Sequence, residues 1–342
     1  MGISTIPIIQ LRQVAHRFER SRSLAERIAG MGRGMKRPAI LHALRAINLD
    51  LRYGEILGLV GETGSGKSTL GRIVAGTLSP SEGEILFRGE PTQGIRGRAK
   101  RRTARRIQMV FQNPMASLNP RVRIADAISE APIYHGLWSR IGVSAKVDEL
   151  MGRVGLNTVY KDRLPHQLSG GERQRVSIAR ALAVAPDILV CDEAVSALDV
   201  SVQAQILNLF AKLRQDLQLT YLFISHDLGV VRYLADRVAV MYLGQIVEIA
   251  PTEDLFASPK HPYTRALVEG VLRVGEPRRT FRPIRGETPS PFSPPPGCHF
   301  HPRCPVSFGR CTIESPSLQA VEEGRFVSCH LAEGSSHNAR SH

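Results

Sequence analysis

The sequence predicts an α/β fold in which helices wrap a largely parallel sheet, followed by a small appendage. Three observations carry this expectation. Short apolar runs of strand character alternate with segments of helical periodicity between residues 56 and 242. The run Ile56-Leu57-Gly58-Leu59-Val60 is apolar on both faces, as a strand inside a parallel sheet must be. It runs straight into a glycine-rich turn and a helix opening near Lys67.

Taken in order, residues 1–60 read as short strands joined by a basic insertion at 20–38. Residues 83–89 (GEILFRG) and 107–112 (IQMVFQ) are further strands. Residues 124–164 read as mostly helical, broken at Gly136, Gly142 and Pro165. A helix over 171–184, a strand over 187–192 and a helix over 200–218 follow. In the last helix Val202, Ile206, Leu209, Leu213 and Leu217 share one face. Strands at 221–224 and 237–242 complete the alternation. Residues 277–316 then hold 10 of the 22 prolines, so 277–297 is read as an extended linker.

The chain has 342 residues, 42% hydrophobic and 22% charged, a globular balance that excludes a disordered or collagen-like chain. No run reaches the ~18 apolar residues of a spanning helix. The start, MGISTIPIIQ, lacks the pattern of a signal peptide, and Ile6 excludes a myristoylation site. A cytosolic protein, docked to something, is expected. Net charge is +14, and residues 1–110 carry +12 of it. The densest run, 96–106, holds seven basic side chains. It could face nucleic acid or anionic lipid, but without interleaved aromatics a solvated loop is the expectation.

Cys191 sits in an apolar run and reads as core. Cys298, Cys304, Cys311 and Cys329 fall within 32 positions, which in a cytosolic chain suggests metal or redox chemistry before disulfides. Their spacing departs from the C-x2-C pairs of zinc ribbons and from common ferredoxin spacings. By spacing alone, iron–sulfur and zinc remain rivals.

Residues 61–68, GETGSGKS, fit the phosphate-loop pattern G-x-x-x-x-G-K-[ST] between a buried strand and a helix. Gly61, Gly64 and Gly66 let backbone N–H groups close around phosphates, and the helix N-terminus adds positive partial charge. Lys67 can neutralise the β- and γ-phosphate oxygens, and Ser68 can ligate Mg²⁺. Ser65 and Thr69 complete the nucleotide-binding set. The strand at 188–193 ends in two carboxylates at the ligand-binding edge of the sheet. There Asp192 can hold Mg²⁺, and Glu193 can act as general base on the attacking water. His226 and Gln112, at other strand ends, are candidates to contact the γ-phosphate or the water, and Gln112 also Mg²⁺. In the segment LSGGERQR at 168–175, Ser169-Gly170-Gly171 opens a helix and offers N–H groups to an anion. A second anion-binding helix end suggests a different ATP, held from the opposite side.

On these residues the sequence resembles the nucleotide-binding subunits of ABC transporters. The likeness rests on 61–68, Gln112, 168–175, 188–193, Ser196-Ala197-Leu198-Asp199 and His226. It implies an ABC-type P-loop ATPase with a mixed sheet core, a helical signature subdomain and a small Cys-containing C-terminal extension. It also implies two such domains head to tail. Each ATP would lie between one phosphate loop and the other domain's Ser169, Gly170 and Gly171, with Asp199 in the loop crossing between sites. Phe18 takes roughly the place of the family's adenine-stacking aromatic.

The segments 110–121, 196–209, 260–267 (KHPYTRAL) and 286–305 look like the oligopeptide/dipeptide/nickel importer ATPases, and the likeness covers about 8–331. Ala194 departs from the family's Pro, leaving both carboxylates in place. The basic insertion is more like the second of two paired ATPases. The implied division is an ATPase domain over 8–256 with its helical subdomain at about 115–180, an HPY-containing segment and linker over 257–297, and a Cys tail over 298–331. In that importer family the four cysteines are associated with a [4Fe–4S] cluster, which becomes the expectation, with zinc as the alternative. The cluster is remote in sequence from the ATP site, so its expected role is structural, docking or sensing. The implied function is an ATP-hydrolysing motor for peptide uptake at the cytoplasmic face of the membrane. Its partners would be a second, paralogous ATPase, two transmembrane permease subunits touching the groove near 112–120, and indirectly a solute-binding protein, with no nucleic acid. The alternative is a soluble ATPase of the same superfamily acting on nucleic acid or ribosomes.

Overall fold

The computed structural model describes residues 7–19, 40–270, 284 and 286–332. The basic insertion 20–38, and 277–283 and 285 of the expected linker, lie outside them. The strands are β1 (Pro7–Glu19), β2 (Ile40–Arg52), β3 (Ile56–Val60), β4 (Glu82–Phe87), β5 (Glu90–Pro91), β6 (Ile107–Val110), β7 (Ile188–Asp192), β8 (Thr220–Ile224), β9 (Arg237–Tyr242), β10 (Gln245–Pro251), β11 (Gln319–Glu322) and β12 (Arg325–Val327). The α-helices are α1 (Lys67–Val74), α2 (Gly97–Arg106), α3 (Pro114–Ser117), α4 (Ile124–Tyr134), α5 (Val143–Arg153), α6 (Gly170–Leu182), α7 (Val200–Leu217), α8 (Leu228–Leu234), α9 (Thr252–Ala257), α10 (Pro262–Glu269) and α11 (Gly309–Ile313).

The main sheet has eight strands in the order β11-β12-β10-β9-β3-β8-β7-β6. From β9 through β3, β8 and β7 to β6 every pairing is parallel. β10 returns antiparallel to β9, and β12 and β11 extend that edge antiparallel. The sheet is therefore mixed, as the resemblance implies. Successive residues of its central strands point to opposite faces, and each face has its own core. Ile56, Val60, Leu189, Cys191, Tyr221 and Phe223 pack with the helical side. Leu57, Leu59, Ile188, Val190, Leu222 and Ile224 pack against α1 and a second sheet. Two-faced burial is why these runs read as continuously apolar.

That second sheet, β2-β1-β4-β5, is antiparallel throughout. Arg17 pairs with Glu82 across it. The basic run expected as a solvated loop is instead helix α2, with no buried residue. Ala, Arg and Lys are strong helix formers, so it needs no apolar stripe. Arg106 at its end pairs with Asp187 at 3.2 Å.

Side chain-to-backbone bonds tie the helical region 124–182 together and join it to α3. Arg175 Nη1 donates to the Val154 carbonyl at 2.6 Å, and Arg180 donates to the Ser117 carbonyl. At the other edge, Phe300, 2% exposed, lies edge-on to Tyr242 at 5.3 Å between ring centroids and 5.4 Å from Tyr263. This ring packing and the β10–β12 pairing join the C-terminal segment to the core.

Candidate functional site

β3 ends at Val60, and the chain turns through Gly61 to α1, whose N-cap Gly66 adopts φ 104°. Lys67, 5% exposed, bends its ammonium back into the turn. Its Nζ donates to the Gly61 carbonyl at 2.7 Å, to the Glu62 carbonyl at 2.9 Å and to Ser65 Oγ at 3.5 Å. Burial pushes the Lys67 pKa down, against the opposing pull of Glu193, Asp192 and Glu62. Ser68 Oγ donates to Asp192 Oδ1 at 2.8 Å. Burial raises the Asp192 pKa, while the Ser68 hydrogen bond and Arg72 oppose the rise. An anion beside Lys67 and a cation beside Asp192 would each favour the charged form of its neighbour.

Glu193 follows β7 with φ +48°, and its side chain is 20% exposed. Its Oε2 accepts from Gln112 Nε2 at 3.0 Å and lies 3.4 Å from His226 Nδ1. Gln112 Nε2 also reaches Ser196 Oγ at 3.3 Å. Gln112, Glu193 and His226 come after the C-terminal ends of β6, β7 and β8, neighbours in the parallel sheet. Parallel strands deliver the residues beyond their C-terminal ends to one edge, so all three expected catalytic residues meet on one carboxylate oxygen.

A cavity of about 300 Å³ opens beside them, lined by Phe18, Thr63, Gly64, Gly66, Lys67, Ser68, Thr69, Glu193 and Pro291 among others. Its size is within the range of small-molecule sites. Phe18, at the end of β1 and 40% exposed, forms one wall. Gly61 and Ser65 do not line it; both accept hydrogen bonds from Lys67.

Ser169, Gly170, Gly171 and Asp199 do not line this cavity either. Ser169 caps α6 in a reciprocal box: its N–H donates to Glu172 Oε2 at 2.7 Å, and its Oγ accepts from the Glu172 N–H at 3.3 Å. The Ser169 N–H and hydroxyl hold the Glu172 pKa below its usual value. Asp199 caps α7, accepting from the Val202 N–H at 2.9 Å and from Ser201 Oγ at 2.7 Å. A Cβ on Gly171 would stand 2.5 Å from Val202 Cγ1, so glycine there lets the two helix starts touch.

Sequence reasoning missed Glu62, Tyr263, Thr288 and Arg303. The Glu62 N–H donates to Tyr263 Oη at 2.9 Å. The Glu62 carboxylate accepts from Thr288 Oγ1 at 2.8 Å and from both Arg303 terminal nitrogens at 2.8 and 3.1 Å. The C-terminal segment, remote in sequence, thus lies against the phosphate loop. Glu62 and Arg303 are 241 positions apart, and no local pattern links them.

The ABC transporter family matches residues 44–196, and the oligopeptide/dipeptide transporter C-terminal region matches 247–311. The oligopeptide transport ATP-binding protein AppF of Bacillus subtilis (strain 168) is 43% identical over 328 residues, 95% of this chain and 97% of the relative. A Brucella abortus (strain 2308) protein named for peptide import ATP binding is 51% identical, covering 85% of this chain and 87% of its own. Among solved structures, cbiO1 of Clostridium perfringens, part of the ABC transporter complex cbiONQ, matches with TM-score 0.61 and 27% identity, covering 74% of this chain and 91% of its own. A dimeric post-hydrolysis state of the ATP-binding cassette MJ0796, bound to ADP and Pi, also matches with TM-score 0.61 and 27% identity, covering 71% of this chain and 98% of its own.

The [4Fe–4S] expectation is corrected. Among the described residues, no group of three or more His, Cys, Asp or Glu side chains is placed to hold a metal ion, which also leaves zinc without support. Cys298, Cys304, Cys311 and Cys329 do line one cavity with Phe300 and His330, but it measures only about 10 Å³, about one water's worth. Burial pushes the Cys298 pKa up to about 11 and raises that of Cys304. The four cysteines lie together beside Phe300, and Cys298 and Cys304 pack against the core cluster that contains it. With a relative aligned over nearly its whole length and both family models matched, the chain belongs to the ABC transporter family, among the ATP-binding proteins that carry the oligopeptide/dipeptide transporter C-terminal region.

Proposed function

We propose that this chain is the ATP-hydrolysing motor subunit of a membrane importer of peptides. The observation that supports it most is the meeting of Gln112, Glu193 and His226 beside the phosphate loop. The reaction is ATP + H2O to ADP + phosphate. Lys67 and the loop N–H groups hold the β- and γ-phosphates, and Phe18 supports the base. Ser68, Asp192 and the Gln112 amide offer the hard oxygen donors that Mg²⁺ prefers, and the direct Ser68–Asp192 contact fits that donor set. Bound there, Mg²⁺ neutralises phosphate charge. Glu193 takes the proton of the attacking water, while Gln112 and His226 fix the orientation of its carboxylate.

Ser169, Gly170 and Gly171 lie away from this chain's own cavity, which fits a role against the ATP of a second ATPase subunit. The dimeric cassette among the structural relatives favours that pairing, and we read the partner as a paralogue. Asp199, capping α7 beside the signature helix, would cross between the two sites. Among the described residues, no helix is long and apolar enough to cross a membrane. ABC importer motors work peripherally on permease subunits, and we place two of these, with an extracytoplasmic binding protein beyond them, around this chain at the cytoplasmic face. The reading of a soluble ATPase acting on nucleic acid or ribosomes is not favoured by the transport proteins it aligns with. Co-purification from detergent-solubilised native membranes, with mass spectrometry of the partners, tests the assignment. Recovery of a second ATPase and two multi-spanning subunits is expected. Recovery only from the soluble fraction, with nucleic acid or ribosomes attached, would overturn it.

A further inference from the structure

We propose that the C-terminal segment is a working part of the ATP site, with Arg303 as a positioning residue for the phosphate loop acting through Glu62. The inference rests on the ATP-binding reading and adds a determinant of it.

Every polar group of Glu62 is engaged. Its carbonyl accepts from the site lysine, Lys67, at 2.9 Å. Its N–H donates to Tyr263 Oη at 2.9 Å. Its carboxylate receives the Arg303 fork, Nη1 to Oε2 at 2.8 Å and Nη2 to Oε1 at 3.1 Å, with Thr288 Oγ1 at 2.8 Å. Moving Glu62 therefore moves the cradle that aims Lys67. Arg303 is itself fixed: its side chain is 7% exposed, and its guanidinium lies 6.0 Å from the centre of the Tyr242 ring. Three residues before it, Phe300 is anchored against Tyr242 and Tyr263. A second contact comes from Pro291, which lines the nucleotide cavity.

Charge decides what this fork does. Glu62 is a carboxylate on the loop that must receive a highly anionic triphosphate, and unpaired it would repel the ligand. The bidentate guanidinium cancels that charge and locks the carboxylate in one place, which a lysine's point charge does only in part. A staple whose only task was to hold the tail down would not need to end on the phosphate loop.

The test is ATP affinity with Mg²⁺, by calorimetry on the full chain, for wild type, Arg303→Met, Arg303→Lys, Glu62→Gln and the Glu62→Gln/Arg303→Met pair. Arg303→Met should weaken ATP binding by about tenfold, the scale of coupling between groups in contact. Arg303→Lys should fall between it and wild type. The double variant should recover much of the loss, because removing the carboxylate removes the repulsion. In the assembled ATPase, Arg303→Met should raise KM by a similar factor and leave kcat little changed, since Arg303 does not reach the reacting atoms. Wild-type affinity in a folded Arg303→Met chain would overturn the inference, as would a double variant no better than Arg303→Met. If Arg303→Met fails to fold, Arg303→Lys decides, and unchanged affinity there overturns it. Failure of the wild-type chain itself to bind ATP would instead remove the parent reading, and this with it.

Discussion

Alanine at Gly61 tests whether backbone geometry makes the phosphate loop. A Cβ there would stand 2.1 Å from the Met241 carbonyl oxygen and 3.0 Å from Ser65 Oγ, on a backbone with φ +153°. Met241 cannot retreat, because it lies within β9, flanked by β3 and β10. Backbone strain of about 1–3 kcal/mol adds to overpacking of about 1–3 kcal/mol. The sum, about 2–6 kcal/mol, is a large share of the roughly 5–15 kcal/mol that stabilises a typical domain. The same displacement moves the Gly61 carbonyl that accepts from Lys67 at 2.7 Å, so ATP affinity should fall as well. Gly64→Ala is the internal control: φ is +81°, and a Cβ there meets nothing within 4 Å. Only the strain applies to it. Urea unfolding followed by circular dichroism, with ATP calorimetry alongside, should place Gly61→Ala at least ~1 kcal/mol below Gly64→Ala. Equal losses in the two variants, or a Gly61→Ala chain of wild-type stability and ATP affinity, would refute the reasoning.

Three further outcomes are expected. Glu193→Gln should keep ATP binding and lower turnover by about 10²–10⁴-fold, the usual contribution of a positioned base; single-turnover hydrolysis near the wild-type rate would exclude Glu193 from that role. Tyr263→Phe removes the acceptor of the Glu62 N–H and should lower stability by about 1–3 kcal/mol, measured by urea unfolding; an unchanged midpoint would mean that this bond is replaced. Burial pushes the His261 pKa down to about 3, and its Nδ1 accepts from the Tyr263 N–H at 3.0 Å, so the folded ring is neutral. The unfolded chain gains a proton as pH falls below about 6.5 and the folded chain does not. Stability from this group is thus complete above pH ~6.5 and declines toward pH ~3, by up to about 1.4 kcal/mol per pH unit. His299, lowered by burial to about 4, acts with the same sign. His261→Asn should flatten the slope of Tm between pH 6.5 and 5, and parallel slopes would contradict the assignment.

Much of the fold and site was legible because its signals are local. The β3 run, the loop at 61–68 and the apolar face of α7 each announce themselves within a few residues. The meeting of Gln112, Glu193 and His226 came from parallel strands delivering their ends to one edge. The illegible part depends on distant pairing. The antiparallel partnership of β1, β2 and β4 sets registers across long gaps, with β1 shifting register against both neighbours. Helix α2 lacks an apolar stripe, so periodicity was silent although propensity favoured a helix. The convergence of the four cysteines could be read from their clustering, but their place beside Phe300 could not. Nothing in the sequence near Glu62 pointed to Arg303.

The central claim is that this chain spends ATP to move peptides inward. The direct measurement reconstitutes the complex that co-purifies with it into vesicles and tracks ATP hydrolysis beside accumulation of labelled peptide. Both should occur together, and both should be lost when Glu193→Gln replaces the wild-type chain while ATP binding persists. Hydrolysis with no peptide movement, or peptide movement undiminished by Glu193→Gln, would contradict the account.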